Sequence, residues 1–533
     1  MDEIDFDAIV IGAGIAGIYQ VYKLRELGLQ VRALEAGTGV GGTWYWNRYP
    51  GARFDSESYS YGYFFSKELM EEWSWSEHFA GQPEACRYLN FVVDKFDLRQ
   101  DIQLESRVTS AVYEDGARRW TVTIEDGRSY RSRFLITAIG LVSTPQLPRI
   151  EGRDSFKGPA FHTARWPKEP VDLASKRVAV IGTGASGVQV IQTIAHEVER
   201  LTVFQRTADW VAPLNNRKID KEEELRIKAS YPDLVKRCQQ TSGGFMHTPD
   251  PRRASEVSDE VRESFYEQLY AEPGMGIWLG NFRDTGTDER ANEVVSRFIE
   301  RKIRQRINDP KVAEKLIPKN HGFATRRVPM DNGYYEVYNR DNVELVDTRE
   351  TPIERMSSTG IKTSEKEYEF DVIIYATGFD AFTGSFDRID FRGMEGQCLK
   401  DKWRNGPQTF LGVFVEGFPN LMMIMGPHSK IGNYPRTIEF DVEWVSDLID
   451  YAVKKGLTRI EPTAEGVAQW GQEVIESGDG LLSEKVDSWL TGVNPNVEGK
   501  QKRIMVRYNG SLAQFRQRCR VVAASGYEGL RLD

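Results

Sequence analysis

Two glycine-rich turns built to the same plan constrain this chain more than any other feature. Phe6–Ile11 (FDAIVI) is a short apolar run, followed at once by Gly12, Gly14 and Gly17 in the pattern G-A-G-I-A-G, and residues 18–27 then read as a helix ending at Gly28. Arg177–Ile181 (RVAVI) repeats the arrangement, with Gly182, Thr183, Gly184, Ala185, Ser186, Gly187 and Val188 as its turn. Strand, tight turn and helix in that order are the setting in which G-x-G-x-x-G cradles a dinucleotide. The first glycine permits the turn, the second lets a pyrophosphate approach the backbone, and the third lets helix and strand pack closely, with phosphate at the helix N-terminus. The expected fold class is therefore α/β, with two Rossmann-like dinucleotide-binding domains.

The two units differ in charge where it matters. In the first, the second strand (residues 30–34) ends at Glu35, placed to accept hydrogen bonds from a ribose 2′-hydroxyl. In the second, residues 201–204 lead to Gln205, Arg206 and Thr207, so a base stands where the acid was. A planar guanidinium binds phosphate oxygens with two donors, which suits a 2′-phosphate. One unphosphorylated dinucleotide and one NADP are implied.

Composition excludes several classes. The 533 residues, 40% hydrophobic and 28% charged, suffice for two or three domains with proper cores. A net charge of -9 with a pI near 5.5 argues against a nucleic-acid surface and leaves small molecules as partners. Cys86, Cys238, Cys398 and Cys519 form no CxxC pair, so neither a zinc cluster nor a dithiol centre is suggested, and no other metal cluster is visible. A reducing, cytoplasmic compartment is expected. The first core strand starts near Phe6, leaving no room for a signal peptide, and no apolar run approaches the ~18 residues of a membrane span.

Along the chain, residues 1–144 read as the first part of one nucleotide domain, its strands 102–112, 119–125 and 130–139 leading to Gly140. Pro145 and Pro148 open a linker over 145–176, and 177–215 begin the second nucleotide domain. Residues 216–325 are charged and helix-patterned at 221–229, 258–271 and 292–307, which predicts an inserted helical subdomain. Strands 343–346 and 371–375 close the second domain over 326–380, and 381–533 return to the first through a strand at 421–425 and a helix at 439–454.

Several residues are ambiguous on composition alone. The loop 41–51 (GGTWYWNRYPG) could wall a flat ring system or simply form an aromatic mini-core. Asp55 reads equally as a helix cap or turn residue, Arg326 and Arg327 as a solvated loop, His428 as a loop histidine and Trp489 as a core plug.

The segment between the two fingerprints resolves much of this by resemblance. Phe156, Gly158, His162, Trp166 and Pro167 match F-x-G-x-x-x-H-x-x-x-W-P, and with the loop 41–51, Y-A-T-G-F-D at 375–380 and the Trp489 region the chain closely resembles the type I Baeyer–Villiger monooxygenases over essentially its whole length. That family uses FAD and NADPH to insert oxygen beside a ketone carbonyl through a flavin C4a-peroxide, so the resemblance implies ketone and O2 as substrates and ester or lactone as product. It implies FAD contacts at Gly12, Gly14, Gly17, Glu35, Thr43, Trp44, Trp46, Asp55 and Tyr61. It implies NADPH contacts at Gly182 to Val188, Arg206, Thr207 and Arg326, with Trp489 reaching the cofactor from the C-terminal part. Arg327 matches the family's active-site arginine and Asp55 its carboxylate partner. Arg326 departs from the family in standing where many members have lysine.

A guanidinium suits this chemistry because it stabilises anions and gives up no proton. For His162 the resemblance marks importance, while its place in the linker favours a hydrogen-bonding hinge over a proton donor. The loop 426–433 (GPHSKIGN) differs from the G-P-x-S-P type associated with cyclic-ketone members and resembles loops of members acting on small or linear methyl ketones. A cyclic-ketone monooxygenase, a flavin N- or S-oxygenase, and an NADPH-dependent flavin reductase or sensor are the competing readings.

The charge exchange at the second fingerprint is directly testable. Arg206→Ala should lower kcat/KM for NADPH roughly tenfold or more, the loss of a charged hydrogen bond, and lower that for NADH much less. Equal losses for both nucleotides in steady-state kinetics would remove the 2′-phosphate role.

Overall fold

The structure, a computed structural model, describes residues 4–533. β1 (Phe6–Ile11) passes through the first glycine turn into the helix Ile15–Glu26 and returns along β2 (Val31–Leu34). β3 (Ile102–Gln103), β4 (Val108–Glu114), β5 (Arg119–Ile124) and β6 (Ser129–Thr137) follow. β7 (Thr144–Pro145) and β8 (Ala160–His162) lie between the fingerprints, and β9 (Arg177–Ile181) and β10 (Arg200–Gln205) flank the second fingerprint helix, Ala185–Ile194.

The first sheet runs in the order Asp390–Arg392, β4, β5, β6, β1, β2, β3, with Leu421–Met423 also joined to β6. β1 is parallel to both neighbours and its last four residues are buried. A parallel strand covered on both faces must be apolar on both, which is why FDAIVI does not alternate. β6 is long enough to take two partners on one edge: residues 129–132 pair antiparallel with β5, and residues 135–137 pair parallel with Leu421–Met423. The last third of the chain thus completes the sheet that the first third began.

The second sheet is wholly parallel, in the order Val343–Asp347, β10, β9, Val372–Tyr375, β8. Its edge strand β8 comes from the segment between the fingerprints and ends on His162. The chain passes between the two sheets at β7 and at Phe379–Asp380, which pair antiparallel. The crossing is tightened by Gln146 N–H donating to the Gly378 carbonyl at 2.9 Å and the Thr377 hydroxyl donating to the Gln146 carbonyl at 2.5 Å.

Three elements depart from their sequence patterns for identifiable reasons. The expected strand 102–112 is two strands, because Glu105 takes a positive φ of 53° and turns the chain from pairing with β2 to pairing with β5. The helix expected over 439–454 spans Tyr434–Lys455, since Pro435 sits in its first turn, where no backbone donor is needed. Its C-terminus matches expectation more closely, with Lys454 and Lys455 in the last turn and Gly456 in the left-handed region at φ 68°. The helix expected over 221–229 continues past Pro232 to Gln240. Tyr231, Leu234 and Cys238 bury themselves against Tyr59, Phe64 and Met70, and that packing outweighs the proline.

The helices between the two halves of the second unit pack on both neighbours. Lys221–Gln240 lies on the Tyr59 segment of the first unit, whereas Asp259–Ala271 and Glu289–Arg306 contribute Tyr266, Val295 and Phe298 to the core under β9 and β10. The first unit's core joins Ile18 and Val21 to Val442, Val445 and Ile449 of the long C-terminal helix. Among the described residues no helix is long and apolar enough to cross a membrane.

Candidate active site

Both glycine turns have the geometry their spacing demands. Gly12 and Gly182 adopt φ of +103° and +107°, and a Cβ there would lie 2.6 Å and 2.5 Å from the carbonyls of Ala138 and Ala376. Gly17 and Gly187 allow their helices to close on the turn, since a Cβ would come within 1.9 Å and 2.3 Å of the Gly12 and Gly182 carbonyls. Gly184 has open space where a Cβ would be, and Val188 is buried behind it. The two fingerprint helices start on Gly14 and Gly184 with no side-chain cap and no acid in the first turn. Asp220, Ser258, Asp288, Thr463 and Ser511 cap their own helices. Uncapped N–H groups with space before them fit a pyrophosphate.

Glu35 is buried at the end of β2, with Oε2 accepting from Ala13 N–H at 2.8 Å and Oε1 from Gly37 N–H at 2.7 Å. Burial pushes its pKa up while those donors oppose the shift. The carboxylate retains acceptor capacity for a hydroxyl. Thr43 to Trp46 form one short helical turn behind Gly42, with Thr43 exposed. Trp44 is buried and donates Nε1–H to the Tyr61 hydroxyl at 3.1 Å, Tyr61 stacks on Phe54 at 4.2 Å, and the Arg165 guanidinium covers Trp46 at 4.7 Å. The loop is thus both an aromatic core and a wall.

The same loop bolts the two units together. The Tyr49 hydroxyl donates to Gln189 Oε1 at 2.7 Å on the second fingerprint helix, and Gln189 Nε2–H donates to the Arg53 carbonyl at 3.0 Å. Gly51, at φ +82°, lies so close that a Cβ would fall 2.2 Å from Thr193 Oγ1. Two residues beyond Arg53, Asp55 is buried and accepts a 2.5 Å hydrogen bond from Arg327 Nη2–H across the units. Asp55 Oδ1 has no partner. Arg327 lies deep in protein, yet a third of its side chain is accessible, so it lines an internal hollow. Burial lowers its pKa and the Asp55 charge more than restores it, leaving the guanidinium firmly charged.

Arg326 faces the other way, toward the second fingerprint. Its Nε is buried without a partner, and burial, with the charge of Arg206 beside it, depresses its pKa against the pull of Asp209 and Asp487. Arg206 is exposed and Thr207 accepts from the Thr183 hydroxyl at 3.2 Å. Two cations sharing one space fit an anion such as phosphate. Trp489 lies 5.9 Å from Phe382, close to the crossing between sheets, in the segment that supplies Asp487.

His162 has both ring nitrogens engaged with backbone: Nδ1 accepts from Ala164 N–H at 3.0 Å, so Nε2 carries the proton and donates to the Gly378 carbonyl at 3.0 Å. The ring ties the edge strand of the second sheet to the crossing between sheets. His428 is similarly enclosed, bonded to Thr409 and the Met505 carbonyl.

Arg507 has no sequence signal, and Tyr49 and Tyr434 are legible only as members of the loop 41–51 and of the Y-P-R-T-I-E run that follows 426–433. Tyr434 sits at the start of the long helix, where burial pushes its phenol pKa up and the charges of Arg327 and Arg507 oppose the shift. No spacing rule links residues 49, 327, 434 and 507, and only the fold brings them together.

Two nucleotide-binding units clasped by a buried guanidinium–carboxylate pair define an oxidoreductase with two dinucleotide sites. Residues 9–261 match the family described as pyridine nucleotide-disulphide oxidoreductase. The four cysteines are free and scattered, so the disulfide chemistry in that name has no counterpart here. The chain is 45% identical to 2-oxo-Δ3-4,5,5-trimethylcyclopentenylacetyl-CoA monooxygenase of Pseudomonas putida, over 99% of this chain and 98% of that one. It is 43% identical to acetone monooxygenase (methyl acetate-forming) of Gordonia sp. (strain TY-5), over the full length of both. The crystal structure of OTEMO in complex with FAD and NADP superposes with a TM-score of 0.96 at 44% identity, covering both chains completely. This chain belongs to the type I Baeyer–Villiger monooxygenase family.

Burial lowers the pKa of His162 to about 4, below the ordinary ~6.5. The unfolded chain therefore binds a proton that the folded one refuses, and the ring's contribution to stability is complete above about pH 6.5 and lost as pH falls through 4. At up to about 1.4 kcal/mol per pH unit, His162→Gln should flatten the fall in stability between pH 6.5 and 4 in chemical denaturation. His428, also lowered to about 4, retains its own share of the slope. An unchanged slope would contradict the assignment.

Proposed function

We propose that this enzyme uses NADPH and O2 to convert ketones to esters or lactones. One oxygen atom enters between the carbonyl carbon and a migrating carbon, and the other leaves as water with the NADPH hydride and a proton. The observation that carries this reading is the Asp55–Arg327 pair, which turns a permanently charged guanidinium into an internal hollow between two dinucleotide sites.

Gly12, Gly14, Gly17 and the uncapped helix behind them would hold the FAD pyrophosphate, Glu35 the ribose, and Thr43, Trp44, Trp46, Asp55 and Tyr61 the surroundings of the ring. Gly182 to Val188 would hold the NADPH pyrophosphate, Arg206, Thr207 and Arg326 its 2′-phosphate, and Trp489 its far end. FAD, when bound and reduced by NADPH, supplies the activation of oxygen. Arg327 donates hydrogen bonds to the ketone oxygen as negative charge develops there, and holds its proton throughout. Asp55 fixes the direction of that guanidinium. His162, neutral and fully hydrogen-bonded, acts as a hinge between the second sheet and the crossing strands.

Small or linear methyl ketones are the substrates we favour, from the loop G-P-H-S-K-I-G-N at 426–433 and the likeness to an acetone monooxygenase. The four unpaired cysteines suit the reducing cytoplasm.

Arg327→Ala should leave FAD bound and NADPH oxidised while ester formation falls at least roughly 100-fold, the order seen when an oxyanion donor is removed. Hydrogen peroxide should replace ester in the product balance. Ester formation persisting near the parent rate would overturn the assignment.

A further inference from the structure

Beyond Tyr434 the enclosed side chains carry more positive charge than the reaction requires. Residues 428–430 run alongside 506–508: His428 N–H donates to the Val506 carbonyl at 2.9 Å, Tyr508 N–H donates to the Ser429 carbonyl at 3.1 Å, and Lys430 pairs with Tyr508 in a parallel bridge. This seam sets Lys430 beside Arg507. Lys430 is only 8% exposed and makes no ion pair or hydrogen bond through Nζ among the described residues. Burial, and then the charge of Arg507, press its pKa down to about 7.

Arg507 is itself largely buried, with Nη2 3.1 Å from Glu484 Oε1 and a buried Nε that has no partner. Asp55 answers Arg327, Glu484 answers Arg507, and Lys430 is left over. A buried ammonium beside a guanidinium is costly unless an anion meets it.

The cofactor phosphates have their own donors at the two uncapped helix starts and at Arg206 and Arg326. Tyr434 stands between the two groups of charge, its hydroxyl within the field of both Arg327 and Arg507. Tyr434 and Arg507 thus lie in line between the unmatched cation and the guanidinium that would hold the ketone oxygen.

We propose that Lys430 and Arg507 form a carboxylate-binding subsite, so that the preferred ketone is an oxo acid whose carboxylate seats there while its carbonyl faces Arg327. The subsite rests on the ketone-oxygenating reading for its reaction but stands on its own for binding. A linear methyl-ketone acid meets both requirements: an unbranched ketone at one end and a single negative charge at the other. Lysine supplies a point charge and arginine a fork, which together fix the register of a flexible chain.

The test uses the FAD-loaded enzyme and compares kcat/KM for 4-oxopentanoate, 5-oxohexanoate and 6-oxoheptanoate with that for each methyl ester, quantifying ester product. We expect at least one oxo acid to exceed its own methyl ester by about tenfold or more, chiefly through KM, the order of one charged hydrogen-bonded contact. Lys430→Met and, separately, Arg507→Met should collapse that ratio toward unity. Binding is read without turnover by the melting temperature of the oxidised holoenzyme: heptanoate should raise it where heptan-1-ol does not, and the rise should disappear in Lys430→Met. If Arg507→Met loses its flavin, Lys430→Met alone carries the comparison. Equal kcat/KM for acid and ester in the parent enzyme, or a preference that survives both substitutions, overturns the subsite. Binding of heptanoate that depends on Lys430 without ester from any ketone would support the subsite and count against the reaction.

Discussion

The buried ion pair between Asp55 and Arg327 is the interaction on which the arrangement depends. Its carboxylate belongs to the first nucleotide unit and its guanidinium to the segment that resumes the second, so the pair exists only when both halves are folded and docked. Removing one member of such a pair leaves the other charge without its partner at the contact between the units. Tyr49, Gln189 and the close approach at Gly51 hold the same interface. Local geometry thereby becomes a property of the whole chain: the position of one guanidinium reports the relation of two sheets.

Around that pair the chain reuses one solution twice. Each unit places a strand, a glycine turn and an uncapped helix in the same order, and each excludes a Cβ at the same two points of contact. What differs is charge at the end of the second strand, Glu35 buried among backbone donors against Arg206 exposed beside Arg326. A single backbone scheme thus serves two nucleotides, with selectivity left to one or two side chains. The third ingredient is the C-terminal return, which adds Leu421–Met423 to β6 and brings Tyr434 within the charge of both Arg327 and Arg507.

Much of this is legible in residues whose demands are local. Glycines at fixed spacing, continuous apolar strands and a base in place of an acid announce themselves, because turn sterics and phosphate binding act over a few residues. Pro232 misleads for the same reason: a local rule ends a helix before it, while the packing of Tyr231 and Leu234 carries the helix on. The partnership of Asp55 with Arg327 spans 272 residues and is invisible to any spacing rule, so it enters only through family resemblance. Lys430 beside Arg507 is harder still. Lys430 is read only as part of the loop 426–433 and Arg507 not at all, and only the seam between 428–430 and 506–508 shows that the two lie together.

The most direct measurement follows the fate of oxygen. The FAD-loaded enzyme would be given NADPH, a methyl ketone and 18O2, and the product analysed by mass spectrometry. An ester carrying one 18O in its bridging position, formed in step with NADPH consumption, is the predicted result. NADPH consumed with all label in hydrogen peroxide and no ester would contradict the account.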